Sequence, residues 1–284
     1  MKGIKRILVN IVAVIMLVAT CMSLTACKDV RTMELNLKVY DYTNKNFQEI
    51  TMTVDLYAHL APKTVDAIEG YVKDGYYNNT IFYELDGFGS QVMLGDLVEK
   101  DGAIAQNAIK PELGVGEFAA GGVPGSNLTS SKGSIGLWRN WTAYDNTYKV
   151  TNALGSGRAT WYMPTASAEI TAYKDWFCVF AQIDLTNADN SKAMDLIIKA
   201  FDSTDNIKEY EIYYTGEYDA EKVNENYGLK FNYMSEILFS EDDIEDLFKA
   251  EGAQYTAYNH QTISVPFAPE TEEFAVKIVS AKMK

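Results

Sequence analysis

The stretch VDLYAHLAPKTVDAIEGYVKDGYYNNTIFYEL, residues 54–85, decides the fold of this protein. It opens with apolar residues at alternate positions, which is the period of a half-buried strand. Pro62 suits the first turn of a helix, the apolar residues that follow recur every three or four positions, and Gly75 is placed to end it. The apolar run at 81–85 predicts another strand. The stretch therefore predicts a strand, a helix and a strand in close succession.

Short strands are predicted on both sides of this stretch. Apolar residues alternate over 35–39 and again over 52–56, and the tripeptide NKN at 44–46 predicts a hairpin turn between them. Further strands are predicted at 133–138, 160–163, 177–183 and 274–279, and one more helix at 191–201. Many short strands with few helices favour a closed barrel, because closure removes the exposed edges of an open sheet.

The first 26 residues predict a secretory signal. A basic N-terminal segment with Lys2, Lys5 and Arg6 precedes an apolar run, as in secretory signals. The LTAC at 24–27 looks like the lipobox of bacterial lipoproteins. In such proteins the thiol of the boundary cysteine, here Cys27, is alkylated with diacylglycerol, and two acyl chains hold a protein stably on a membrane. The apolar run is almost long enough to span a bilayer, so an uncleaved anchor is the alternative. We expect an extracytoplasmic, lipid-anchored protein.

Charge and residue usage narrow the possible functions. The chain carries 25 basic and 39 acidic residues, a net charge of -14, which repels phosphate backbones and argues against nucleic acid as a partner. His59 and His260 are its only histidines and its cysteines do not cluster, so we expect neither a metal site nor another cofactor. Cys178 lies in the apolar run WFCVF, where an inert buried thiol is expected.

Several segments together resemble the cyclophilin family of peptidyl-prolyl cis-trans isomerases. Residues 54–85 are similar to the opening of cyclophilins, which run from a strand through Ala-Pro-Lys-Thr-Val and Gly-Tyr-Tyr to Thr-Ile-Phe-His-Arg. The segments GEFAAGG, NLTSSKGSIGLWR, ATWYM and DWFCVFAQI follow in family order. The resemblance covers residues 35–202, and FAVKIVSAKM supplies the last strand.

The resemblance implies a mainly β fold, a closed eight-stranded barrel capped by helices, with a proline-binding pocket on one outer face. In the family, an arginine is thought to donate a hydrogen bond to the prolyl nitrogen. That bond weakens the C–N double-bond character behind a rotation barrier of about 18–20 kcal/mol. An apolar pocket binds the proline ring, and polar neighbours bind the peptide carbonyl. Together they stabilise the twisted transition state more than either planar isomer.

The resemblance places the catalytic arginine position on Glu84 and the preceding histidine position on Tyr83. An ionised carboxylate only accepts hydrogen bonds and inverts the charge, so Glu84 is not expected to act as the donor. The family glutamine falls on Met93 when MLGD is aligned, and Gln91 is the second candidate. Phe88 falls at an aromatic pocket position.

Aromatic residues fill much of the remaining pocket that the resemblance implies. Thr160 replaces a glutamine, and Tyr162 offers an aromatic floor for a proline ring. Strand alternation directs Trp161 into the barrel and Tyr162 outward. The other expected substrate-binding residues are Phe82, Leu137, Trp138, Arg139, Tyr173 and Phe177. A guanidinium reaching in from Arg139 or Arg158 would restore a donor, but the interpretation we favour is that both are surface residues of an acidic protein.

Residues 203–265 have no counterpart in the family and predict an α+β insert before the last strand. Within it, EYEIYYTGEY alternates like an added strand, and SEDDIEDLFKAEG predicts a helix that starts at Ser240 and stops at Gly252. The insert recognises a partner, shields the groove or extends the core. The predicted organisation is a signal peptide at 1–26, a tether at 27–34 and a cyclophilin-like domain at 35–284.

The function expected from this resemblance is proline isomerisation that assists the folding of secreted or surface proteins, with turnover weakened by Glu84. Its partners are then proline-containing segments of those proteins. The alternative is a catalytically inactive cyclophilin-type module that binds proline-containing peptides or a protein partner. A structural envelope protein that acts through its insert is the third interpretation.

Overall fold

The computed structural model describes residues 29–85, 90–107, 128–137, 159–168, 178–213, 216–217, 230–231, 236–238 and 260–284. Within these residues the protein is mainly β, with two α-helices, α1 (Pro62–Lys73) and α2 (Ala188–Phe201). No helix in this part of the chain is long and apolar enough to cross a bilayer. The strands are β1 (Val30–Asp41), β2 (Asn46–Tyr57), β3 (Thr80–Ile81), β4 (Glu84–Leu85), β5 (Gln91–Leu94), β6 (Leu97–Lys100), β7 (Ala103–Gln106), β8 (Ser134–Leu137), β9 (Trp161–Pro164), β10 (Cys178–Gln182), β11 (Ile207–Tyr213), β12 (Gly216–Glu217), β13 (Lys230–Phe231), β14 (Glu236–Leu238), β15 (His260–Pro266) and β16 (Val276–Met283).

β1 and β2 form the long hairpin that the sequence predicts, and alternate residues along both strands are buried. Asp41 holds the turn, because its Oδ1 accepts hydrogen bonds from the backbone N–H groups of Thr43 (2.9 Å) and Asn44 (3.2 Å). β1 begins at Val30. Residues 30–34, which we assigned to the tether, therefore belong to the sheet.

α1 forms where the sequence predicts it. Pro62 occupies its first turn, and Val65, Ile68 and Val72 are buried as its core-facing stripe. Gly75 follows the last turn with a φ of 72°. A residue with a side chain is disfavoured at such a left-handed φ, so glycine is the expected choice after the helix.

α2 begins at Ala188 rather than at the predicted residue 191. The side chain of Asn187 caps it by accepting hydrogen bonds from the backbone N–H groups of Asp189 and Asn190. Asn190 is itself buried, and its Oδ1 accepts a 2.8 Å hydrogen bond from the backbone N–H of Thr53 in β2. This contact fixes α2 against the main sheet.

The main sheet is curled, and its ten described strands follow the order β5-β9-β8-β10-β2-β1-β16-β3-β6-β7. This order places β5 at one end and β3 near the other. Tyr83, which lies two residues after β3, nevertheless forms an antiparallel bridge with Met93 of β5. The N–H of Tyr83 donates to the carbonyl of Met93 at 3.1 Å, and the N–H of Met93 donates to the carbonyl of Tyr83 at 2.7 Å. The chain after β3 therefore lies beside the first strand of the order.

Alternation along the strands separates two hydrophobic clusters on opposite faces of the main sheet. The inner cluster includes Phe82, Val92, Leu94, Leu137, Trp161 and Phe180. The outer cluster contains Ile81, Tyr83, Leu85, Met93, Leu97, Ile104, Tyr162, Ile263, Val265, Phe267 and Phe274. Neighbours such as Trp161 and Tyr162 fall in different clusters because successive side chains of a strand point to opposite faces.

A second sheet has the order β14-β11-β15-β4. Its strand β11 confirms the strand predicted from EYEIYYTGEY. β15 pairs with β11 and also with β4, through Ile263 opposite Leu85 and Ser264 opposite Glu84. The insert therefore shares a sheet with the strand that carries Glu84. The helix predicted at 240–252 lies outside the described residues.

Candidate functional site

The outer face of the main sheet brings several predicted site residues together where β5, β9 and β8 run side by side. Met93 pairs with Tyr162, and Tyr162 pairs with Gly136. Tyr83 bridges Met93 from the other side. The register thus sets four residues, Tyr83, Met93, Tyr162 and Gly136, in one line across the outer face. We call these four residues the outer row.

Tyr162 packs directly on the backbone of β8. A Cβ atom added to Gly136 would lie 2.1 Å from Cε1 of Tyr162, so only glycine leaves room for the ring. Ser130 donates a 3.3 Å hydrogen bond to the phenolic oxygen. The predicted split between an inward Trp161 and an outward Tyr162 is confirmed by their places in the inner and outer clusters. Tyr162 is nevertheless 0% exposed, so its ring is enclosed and does not form an open floor.

Three other candidates are also buried. Phe82 and Leu137 belong to the inner cluster, with 1% and 0% of their surface exposed. Their side chains therefore lie on the opposite face of the sheet from Tyr162 and do not line a common surface with it. Thr160, which takes the place of a family glutamine, is 2% exposed and lies immediately before β9.

Both candidates for the other family glutamine lie on the outer face. Gln91 comes two residues before Met93 in β5, so the two side chains share a face. Gln91 is 1% exposed, and neither its Oε1 nor its Nε2 has a hydrogen-bond partner among the described residues. A buried polar group without a partner costs about 1–3 kcal/mol. The amide of Gln91 can both donate to a peptide carbonyl and accept from a peptide N–H.

Glu84 lies in β4, between Tyr83 and Leu85, which both belong to the outer cluster. Alternation therefore directs the side chain of Glu84 away from the outer row. Burial, and secondly the negative charge of Asp202, raises the pKa of its carboxyl to about 7. The position that resembles the family arginine thus carries no cation at any pH.

Tyr83, at the position of the family histidine, forms a buried polar pair with Asp96 that the sequence did not predict. The hydroxyl group of Tyr83 donates a hydrogen bond to the carboxylate of Asp96, with its oxygen 2.9 Å and 2.8 Å from the two carboxylate oxygens. Both residues are at most 5% exposed. The acid of MLGD is visible in the sequence, but no local pattern pairs it with a tyrosine 13 positions earlier.

Two strand residues of the insert belong to the same hydrophobic cluster as the outer row. Ile263 and Val265 of β15, and Phe267 just after it, are at most 7% exposed and share the outer cluster with Met93 and Tyr162. Of the roles predicted for the insert, this contact fits shielding of the outer face and extension of the core.

Several predicted site residues lie outside the described residues: Cys27, Phe88, Trp138, Arg139, Arg158, Tyr173 and Phe177. In the described part of the chain, no group of three or more His, Cys, Asp or Glu side chains could hold a metal ion. Two surface cavities of about 400 and 450 Å³ open beside the end of α1 and beside the ends of β2 and β10. Neither cavity is lined by a predicted site residue.

No protein-family model matches the sequence, and no curated protein matches it. Solved structures that are similar to this chain include a cyclophilin-type peptidyl-prolyl cis-trans isomerase of Cryptosporidium parvum, at 12% identity over 58% of this chain and 84% of that one, with a TM-score of 0.35. The Mimivirus cyclophilin is similar at 9% identity over 90% and 89% of the two chains, with a TM-score of 0.35. A cyclophilin from Hirschia baltica is similar at 11% identity over 57% and 66%, with a TM-score of 0.29. Identities of 9–12% with TM-scores of 0.35 or less do not establish the family of this chain.

Proposed function

We propose that this protein is a cyclophilin-type barrel module that binds proline-containing segments of secreted or surface proteins with little or no isomerase turnover. We further propose that it is anchored outside the cytoplasm through lipid on Cys27. The observation that carries the proposal is Glu84. The position that resembles the family arginine holds a half-buried carboxyl, and its strand is paired into the sheet of the insert.

The strand order supports a closed eight-stranded barrel. Eight successive strands of the main sheet run β5-β9-β8-β10-β2-β1-β16-β3. The two hydrogen bonds between Tyr83 and Met93 join the chain after β3 back to β5. A ring joined in this way has no free edge, and the β6–β7 hairpin then lies outside it. The ordered segments similar to cyclophilins support the same architecture.

Little turnover is expected because the position that resembles the family arginine carries a carboxyl and not a cationic donor. Glu84 is directed away from the outer row, and its ionised form only accepts hydrogen bonds. Without a donor that strengthens in the twisted state, an enzyme gains no stabilisation of the transition state over the ground state. The burial of Met93 and Tyr162, which are at most 1% exposed, also limits access to the outer row.

A second candidate function, weak isomerase activity, is favoured by Gln91. Its buried amide has no partner among the described residues, and a bound peptide could satisfy it. The amide of Gln91 could bind a peptide whether or not the peptide then isomerises. Binding and turnover must therefore be measured separately.

The test uses residues 28–284 in a protease-coupled assay with proline-containing peptides and in a peptide-binding titration. We expect rates that match the buffer control and saturable binding. Gln91→Met should weaken that binding about tenfold, the equivalent of about 1.4 kcal/mol, because it removes the amide while keeping the length of the side chain. Gln48→Met, at a half-buried position of β2 beside the hairpin turn, is the matched control.

The outcomes separate the candidates. Turnover well above buffer would support the isomerase and overturn the proposal of a non-catalytic module. A chain that neither turns over nor binds proline-containing peptides would contradict both. Binding that survives Gln91→Met unchanged would remove this amide from the peptide site.

A further inference from the structure

The chain is hydrogen-bonded to the folded domain at Asp29, only two residues after Cys27, the proposed lipidation site. The carbonyl oxygen of Asp29 accepts the backbone N–H of His59 at 3.1 Å, and its carboxylate pairs with Arg31 at 3.3 Å. The next residue, Val30, already pairs with Tyr57 at the end of β2. Asp29 is therefore fixed to the end of the β1–β2 hairpin.

Only Lys28 separates Asp29 from Cys27 in the sequence. Two Cα–Cα steps of about 3.8 Å limit the distance between Cys27 and Asp29 to less than about 8 Å. The headgroup layer on each side of a bilayer is about 5–8 Å thick. A diacylated Cys27 lies at this layer because its acyl chains enter the hydrocarbon. The fixed end of the hairpin must therefore lie in contact with the headgroup layer.

We infer that the end of the barrel formed by residues 29–31, 57–63 and 282–284 rests on the lipid headgroups of the membrane that holds the protein. We call these residues the anchor end. The inference rests on the proposed lipidation of Cys27 and goes beyond it, because it assigns an orientation to the whole molecule.

The charges at the anchor end neutralise one another. Arg31 donates hydrogen bonds to Asp66 and to Glu69, each at 2.7 Å, in addition to its contact with the start of the chain. Lys73 also pairs with Glu69, and Glu34 pairs with Lys282 at 3.0 Å and with Lys284 at 3.5 Å, so four cations face four acids at and beside this end. The whole chain has a net charge of -14, so an anionic leaflet repels most of its surface. An end whose acids are matched by cations approaches such a leaflet with less repulsion than the rest of the protein.

In this orientation the outer row is inclined to the bilayer, because Gly136 follows Ile135, which is linked through Ala181 to Leu56 beside the anchor end. Ile81 of β3 pairs with Lys277, and Lys277 pairs with Lys38 of β1. Lys38 lies eight residues along β1 from Val30, about 26 Å at 3.3 Å per residue. The chain that carries the outer-row residue Tyr83 begins at this level. The outer row therefore runs from Gly136, beside the anchor end, to Tyr83, at a level farther from the bilayer.

The test uses the full-length, lipidated protein in vesicles that contain a lipid with a quencher on its headgroup. A fluorophore is attached to a cysteine introduced as Lys63→Cys, at the anchor end, or as Asn44→Cys, in the turn at the far end of the hairpin. Both positions are exposed, and both variants carry Cys178→Ser to remove the other thiol. We expect quenching at Lys63→Cys to be severalfold stronger than at Asn44→Cys.

A longer tether is the matched control. Inserting about fifteen Gly and Ser residues between Lys28 and Asp29 should abolish the difference between the two probes, because a flexible linker lets the barrel leave the surface. A difference that persists would overturn the short tether as the cause of the orientation. Equal quenching without the insertion, in protein whose Cys27 carries lipid by mass spectrometry, would overturn the inference and leave the anchoring intact. An unmodified Cys27 would overturn both.

Discussion

Glu84 differs from a donor in charge and in direction. A carboxyl never carries a positive charge, so the sequence alone predicts that Glu84 cannot replace an arginine. Its direction depends on Tyr83 and Leu85 both joining the outer cluster, and on β4 pairing with Ser264. No local pattern around Glu84 predicts that pairing. Only the structure therefore shows which residues surround this carboxyl.

Replacing Glu84 by glutamine should change how stability depends on pH. Burial and Asp202 raise the pKa of this carboxyl from its ordinary value of 4.5 to about 7, so the folded state binds more protons than the unfolded state between these values. The free energy of unfolding of the unmodified protein therefore loses this contribution as pH rises from about 4.5 through 7. Glu84→Gln should be more stable than the unmodified protein by about 1 kcal/mol at pH 8, a value reduced for partial exposure, and should gain nothing at pH 4.

Denaturant unfolding followed by tryptophan fluorescence at the two pH values measures this difference. Glu49→Gln, at an exposed position of β2, is the matched control. An equal gain for Glu84→Gln at pH 4 and pH 8 would show that the carboxyl does not titrate in the folded state as described.

At the scale of elements, the sequence predicts which segments are strands but not which face neighbouring strands share. The alternation in β9 correctly separates Trp161 from Tyr162. The close contact between Tyr162 and Gly136 depends on the register between β8 and β9. Register is set by pairing across the sheet, which a reading of each strand alone does not contain.

Substitution of two glycines tests that contact. Gly136→Ala should destabilise the protein by about 1–3 kcal/mol, because the new methyl group meets the ring of Tyr162 and overpacks the outer face. Gly70→Ala, in the middle of α1, is the matched control, since nothing lies within 4 Å of the added atom there. It should stabilise the protein by up to about 1 kcal/mol, because alanine favours the helix. Thermal or denaturant unfolding of both variants measures the contrast, and a Gly136→Ala protein as stable as Gly70→Ala would contradict the register.

For the whole molecule, the decisive question is whether the main sheet closes. The sequence favours closure on general grounds, because short strands in an open sheet leave edges exposed. The bridge between Tyr83 and Met93 is the contact that would complete the ring. This bridge pairs two segments that the sequence, taken alone, assigns to consecutive short strands joined by a turn.

Native-state hydrogen exchange tests the closure. If the ring is closed, the amides of Tyr83 and Met93 should exchange as slowly as a central amide of β1 such as that of Leu35, since all of them then open only with the barrel. The strand β7 (Ala103–Gln106), which ends the strand order of the main sheet, is the internal control and should exchange much faster. Exchange at Tyr83 and Met93 as fast as in β7 would mean that the sheet is open at this point.

The amino-acid sequence by itself determined the β1–β2 hairpin, α1, the opposite sides of β9 and the lack of a cation at Glu84. Each of these depends on backbone preference, side-chain period or residue type, which are local properties of the chain. Only the tertiary structure decided that Tyr162 is enclosed, that the Tyr83 hydroxyl donates a hydrogen bond to Asp96 and that β15 joins the outer cluster. These features arise from contacts between segments far apart in the chain, and their free energy depends on the joint burial of surfaces that no single segment specifies.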